Sequence, residues 1–200
     1  MMKNEALNHG GGMAVQWVVL TMGESVVSSN ACGDTGKGGG LYIQESSSIL
    51  QKSVIKRNTA YQGGGLAIHY SSYLIPTTVD IRETSFTDNA AQIQGGGIHI
   101  YGATRANVNI TRSNIKNNTV ITNSTIGING GGGIYLASKT NVNIRQTSFM
   151  ENIAKNNRGY EICTRRDNVD FTPTVTVVNT YFNQPTNNNS FYVYGAAVPL

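Results

Sequence analysis

The chain of 200 residues is short of charge. Charged residues make up 13% of it and the net charge is +4, against roughly 25% charged residues in ordinary soluble domains. No dense basic cluster with interleaved aromatics is present, which argues against a nucleic-acid partner. No apolar run is long enough to cross a bilayer as a helix. The opening stretch "MMKNEALNHGGG" lacks the apolar core of an export signal. Long windows with apolar residues three and four apart are also missing, which excludes a helical domain. What remains is polar, uncharged and β-prone, punctuated by 23 glycines, with enough aromatic and β-branched residues to argue against disorder.

The glycines recur. A triplet followed by an apolar residue stands at Gly10–Met13, Gly38–Leu41, Gly63–Leu66, Gly95–Ile98 and Gly131–Ile134. A degenerate copy at Gly159–Ile162 has Glu161 in the third glycine slot. A second phrase runs Ser/Thr, any residue, an apolar residue, two residues, then Asn: "SVVSSN", "SVIKRN", "TSFTDN", "SNIKNN" and "TSFMEN", with Pro185 in the asparagine slot of the last copy. Between them lies a short alternating phrase such as "VDI" (79–81) or "VNI" (108–110 and 142–144). Each unit therefore holds short strands separated by turns, the pattern of one coil in a stacked solenoid.

This predicts an all-β fold, a right-handed parallel β-helix of about six coils with three short strands each. Phe86 and Phe149 enter an inner column, along with the aliphatic residues of neighbouring coils. Asn30, Asn58, Asn89, Asn118 and Asn152 sit at a coil corner, where they can bond to backbone groups of adjacent coils and form a ladder. The glycines supply a corner needing positive φ and close backbone approach.

With these phrases in view, the chain resembles the repeat region of the chlamydial polymorphic outer-membrane proteins, whose motifs are GGA followed by Ile, Leu or Val, and FxxN. Here they read "GGGL" or "GGGI", and "FTDN" or "FMEN", with aliphatic variants "VSSN", "IKRN" and "IKNN". The resemblance covers nearly the whole chain. It implies a pectin-lyase-like β-helix serving as an exported, surface-exposed adhesive passenger, with presentation outside the cell. It carries no membrane insertion by this segment, since no barrel-like stretch is present.

Two surface features are candidate sites. Tyr42, His69, His99, Tyr101 and Tyr135 fall in neighbouring outward rows of the strand after the glycines. Rings beside amides suit a glycan, although tyrosine also favours exposed strands generally. Lys52, Arg82, Arg112 and Arg145 form a basic stripe after the middle strand, suited to acidic polysaccharide, or simply a solvated edge interrupted by Glu24 and Glu83. Asp80, Asp88, Glu45, Glu151, Asp167 and Asp170 share no row, so no catalytic residue is assigned and the chain is expected not to be an enzyme. His69 and His99 have no carboxylate or thiol in the same motif and are expected to be exposed strand residues, with no metal and no cofactor. "CGDTGKG" (32–38) has the wrong spacing and context for a phosphate loop. Cys32 and Cys163, about five coils apart, are too distant for a disulfide. Asn109, Asn117, Asn123 and Asn188 open glycosylation sequons.

The expected organisation is a repeat region over 1–185 and a terminal coil or partial cap over 186–200. Asn4 and Ala6 match mid-coil positions, so the segment is expected to start within a coil of a longer polypeptide, with any signal peptide upstream. The expected role is a non-catalytic, adhesin-like surface or secreted module binding a glycan or a surface protein. The alternatives are a carbohydrate-active β-helix with its lyase or hydrolase coils elsewhere, or a spacer.

Overall fold

The structure is a computed structural model that describes residues 1–70, 78–123, 129–155, 158–165, 173–183 and 191–194. Among these residues there is no helix. Short strands stack in parallel, coil on coil, into three sheets of six, eleven and six strands. The protein is a β-solenoid.

One expected feature differs. The strand after the glycines and the middle strand belong to the same eleven-stranded sheet. In two coils they merge into continuous strands, Ile98–Thr111 and Ile134–Arg145. A register shift between Gly102 and Ala106 marks the join. The sheet therefore offers one outer face with two halves, where the sequence suggested two separate strands.

Inner columns follow directly from this register. Leu41, Leu66, Ile98, Ile134 and Ile162 stack as one column. Val27, Ile55, Phe86, Ile115, Phe149 and Phe182 form another. Phe86 and Phe149 are fully buried, and Phe149 stacks on Phe182 with ring centroids 5.0 Å apart. Burial of such side chains, about 1.5–3 kcal/mol each, is spread along the whole stack.

The asparagine corner holds a continuous amide ladder. Asn58 donates its backbone N–H and its Nδ2 to Asn89 Oδ1, at 3.0 Å each. Asn89 does the same to Asn118 at 3.1 and 3.0 Å, and Asn118 to Asn152 at 2.9 Å in both bonds. The second Nδ2 hydrogen points the other way: Asn89 donates to the Ile55 carbonyl at 2.9 Å and Asn118 to the Phe86 carbonyl at 2.9 Å. Each side chain thus satisfies groups on both neighbouring coils from a dry position. At the end of this run, Asn152 Nδ2 donates to the Ile115 carbonyl at 2.8 Å and to the Glu161 carboxylate. Glu161, the residue that breaks the glycine pattern, is fully buried and terminates the ladder. Pro185 lies outside the described residues.

A parallel hydroxyl ladder runs along the next corner. The Thr84 N–H donates to Ser113 Oγ at 3.2 Å, and Thr84 Oγ1 donates to the Arg82 carbonyl at 2.9 Å. Ser53, Ser113 and Thr147 repeat the second bond to the residue two places earlier. Just before each ladder residue the chain takes a left-handed turn. Lys52, Glu83, Arg112 and Gln146 have φ of 47°, 50°, 47° and 49°, and Arg57, Asp88, Asn117 and Glu151 have 54°, 56°, 54° and 55°. Such turns are costly for residues with a Cβ; the bonds on either side hold them in place.

The glycine triplet is required for three different reasons, seen at 95–97. Gly95 has φ +63°. A Cβ on Gly96 would lie 2.5 Å from the Gly132 carbonyl oxygen of the next coil. A Cβ on Gly97 would meet the Gly133 carbonyl oxygen at 2.7 Å and the Asn118 amide at 3.1 Å. Only the first glycine is therefore conformational; the other two make room for stacking. The strand Phe191–Tyr194 pairs with Ile162–Arg165 and continues the stack; the rest of 186–200 lies outside the described residues.

Two stability outcomes follow. Replacing Asn89 by Ala strips partners from buried groups on both adjacent coils, and is expected to destabilise the fold by about 3 kcal/mol or more, measured by denaturant unfolding. Ser48 sits in an inner column between Leu20 and Val79, its buried Oγ without a hydrogen-bond partner. Ser48→Val is expected to raise the unfolding free energy by about 1 kcal/mol, read as a higher denaturant midpoint.

Candidate functional site

The glycine corner is concave. The residue just before it, on the preceding sheet, faces the outer surface of the strand that follows. His9, Lys37, Gln62 and Gln94 occupy this position in successive coils. Across the corner lie the outward rows Tyr42–Ala67–His99–Tyr135–Cys163 and Gln44–His69–Tyr101–Ala137–Arg165, in the register that the repeats predict. The five candidate ring residues do come together.

Their exposure does not match the sequence expectation. Tyr42, His99 and Tyr135 are buried, with His99 at 2% exposed, and His69 is half-buried. The two histidines are not both exposed strand residues. The concave corner walls them in, because Lys37, Gln62 and Gln94 reach over the outer face. With His99, Tyr101, Tyr135, Ala137 and Arg165 they line a cleft of about 150 Å³. Tyr101 is the ring that meets solvent, at 38%.

The rings form a continuous contact series. His9 stacks on Tyr42 with centroids 4.4 Å apart. His69 meets Tyr101 edge-on at 5.3 Å. His99 stacks on Tyr135 at 5.5 Å. Lys37 Nζ lies 5.9 Å from the centre of the Tyr101 ring, within range of a cation–π contact. The chain's three histidines all belong to this series. Tyr42 Oη is 3.0 Å from both Gln44 Oε1 and His69 Nδ1. One arrangement satisfies both contacts: His69 Nδ1–H donates to the phenol, and the phenol donates to the Gln44 carbonyl. Gln62 Nε2 donates to Gln94 Oε1 at 2.5 Å, bracing the opposite wall.

The cleft suppresses charge. Burial, then the nearby Lys37 and His69, push the His99 imidazole down to about 3. Burial and Lys37 lower His69 to about 4, against a raising effect from Glu45. Burial lowers Lys37 below its ordinary value. Tyr42 rises to about 12 through burial and the neighbouring Glu45, and burial pushes the Cys163 thiol up to about 12. Near neutral pH the phenol and the imidazoles are uncharged hydrogen-bonding groups. Among the described residues, no three or more His, Cys, Asp or Glu side chains are grouped to hold a metal. Cys32 and Cys163 are buried and free.

The basic stripe resolves into two rows. Arg82 and Arg145 are outward strand residues aligned with Thr111. Lys52 and Arg112 occupy the left-handed corner one residue later. Asp80 lies in a strand, Asp88 and Glu45 at corners; Asp167 and Asp170 lie outside the described residues.

His9, Lys37, Gln62 and Gln94 were absent from the sequence reading of the face. Their signal was present, as a polar residue immediately before four of the five glycine triplets, the fifth being preceded by Gly130. What hid it was geometry: adjacency across a concave corner is not visible in strand alternation.

In comparisons with known proteins, no family model, no curated protein and no solved structure matches the chain.

The histidines carry a pH dependence. A histidine with a folded-state pKa of about 3 or 4, below its ordinary 6.5, leaves the unfolded chain binding more protons between those values. Stability then falls as pH drops below about 6.5, by up to about 1.4 kcal/mol per pH unit for each such group. His99→Gln is expected to flatten the unfolding midpoint between pH 6 and pH 4, measured by thermal melts across that range.

Proposed function

We propose that this β-solenoid is a non-catalytic, surface-displayed or secreted recognition module that binds a glycan at the cleft along its glycine corner. The observation that carries the reading is Tyr101. It is a solvent-facing ring set among side-chain amides and cations that line the same cleft. A pyranose offers one apolar face and a rim of hydroxyls. Tyr101 supplies the matching flat surface, and Gln62, Gln94, Lys37 and Arg165 supply donors and acceptors around it.

Tyr42, His69, His99 and Tyr135 act one layer below. They fix the floor on which Tyr101 rests, and their neutral state keeps the floor's hydrogen bonding constant around neutral pH. The depressed imidazoles favour binding over acid–base chemistry at this cleft. A solenoid with distributed stability suits outward display, and the repeat motifs resemble those of exported adhesive passengers. Extracellular or surface placement follows from that resemblance.

The test is a glycan array probed with the parent protein and Tyr101→Ala. The exposed ring can be removed without opening the core, whereas truncating Tyr42 or Tyr135 would disturb buried packing. Loss of about tenfold or more in affinity for the neutral glycans bound by the parent is expected, with an unchanged melting profile. Equal binding of neutral glycans by the two proteins, or no neutral glycan bound by the parent, refutes the reading.

A further inference from the structure

The other half of the eleven-stranded sheet's outer face carries a second polar surface, remote in the coil from the glycine corner. Its centre is an outward amide ladder. Asn143 Nδ2 donates to Asn109 Oδ1 at 3.0 Å, and Asn109 Nδ2 donates to Asp80 Oδ1 at 2.7 Å. Asp80 is in turn held by Arg82, whose Nη2 lies 2.7 Å from Oδ2. The amides thus point one way along the solenoid axis and end on a neutralised carboxylate. Arg112 pairs with Glu83 at 2.8 Å. Together Asp80, Arg82, Asn109, Thr111, Arg112, Asn143 and Arg145 line a groove of about 390 Å³.

Three arginines face one aspartate in this groove. Among the described residues, two of the arginines have an acidic partner and Arg145 has none. Arg145 is exposed, one strand position beyond the inward Ile144 and beside Asn143. Each ladder amide spends one Nδ2 hydrogen on its neighbour and keeps a second for a ligand. The groove therefore presents a row of hydroxyl-binding amides along the axis, and a cation beside the row on each of three successive coils.

We propose that this groove binds a linear glycan bearing carboxylates, laid along the solenoid axis with one sugar per coil. Coils stack at about 4.8 Å, and an extended sugar chain advances by a distance on the order of that spacing per residue. The ladder amides of Asn109 and Asn143 meet ring hydroxyls of consecutive sugars. The Arg145 guanidinium takes a carboxylate in its planar fork. Arg82 lies two coils away in the same row with its charge held by Asp80, so Arg145 carries the carboxylate contact. A nucleic acid would add a dense phosphate charge that Asp80 and Glu83 oppose, and would leave the hydroxyl-binding amides unused.

The experiment titrates the protein with a glucuronate hexamer, a neutral glucose hexamer of the same linkage and a thymidine oligomer of equal charge, using the parent, Arg145→Gln, Asn143→Asp and Tyr101→Ala. The uronate hexamer is expected to bind with an affinity that falls as salt rises, and the neutral hexamer at least tenfold more weakly. Arg145→Gln and Asn143→Asp, both at solvent-facing positions, each cost about tenfold while melting as the parent does. Tyr101→Ala leaves uronate binding unchanged. Equal binding of neutral and acidic hexamers, equal affinity in Arg145→Gln, or tighter binding of the thymidine oligomer overturns the proposal. Loss of uronate binding in Tyr101→Ala alone moves the ligand to the glycine-corner cleft, overturning this site while leaving the function proposed above in place.

Discussion

Everything in this fold depends on buried polar groups finding partners on the next coil. A parallel strand satisfies its backbone through its neighbours, and most corner groups do the same, but the N–H of each corner asparagine is left to the side-chain Oδ1 of the next coil. Asparagine supplies that acceptor. Its carbonyl accepts two N–H groups from one adjacent coil, while its amide donates to both coils. The run from Asn58 to Asn152 repeats this geometry in fully buried positions. Glu161 shows the same constraint at its end: it replaces the third glycine, whose Cβ would otherwise point at the asparagine amide, and receives the donor that Asn152 directs there.

The scarcity of charge follows from this construction. Stacked identical positions place like residues about 4.8 Å apart, so a charge repeated in one slot would repel itself along the whole molecule. Glu161 apart, the charges of the described coils stand at the left-handed corners and on outward rows. There they alternate in sign, as Lys52, Glu83 and Arg112 do, or pair across coils, as Arg112 does with Glu83. Inside, repetition favours apolar columns and neutral ladders, for which likeness between neighbours is an advantage.

The two outer surfaces differ because the corners beside them differ. The glycine corner is concave and folds the preceding residue over the sheet, producing a half-closed cleft with low dielectric and uncharged histidines. The serine and threonine corner turns the chain away, so the amide ladder and arginines at the other half of the face stay accessible. One sheet therefore carries a half-closed aromatic cleft and an open cationic groove.

The repeats alone determined the all-β class, the parallel stacking, the inward columns that contain Phe86 and Phe149, the asparagine ladder and the rows in which Tyr42, His69, His99, Tyr101 and Tyr135 fall. These are properties of period and alternation, and alternation is local. Only the tertiary structure decided that the first and middle strands share one sheet, that two of each three glycines serve packing, and that Tyr42, His99 and Tyr135 are buried while Tyr101 is not. The physical reason is the handedness and sharpness of the corners. They set which residues meet across a bend, and a sequence read one strand at a time carries no information about the angle between strands.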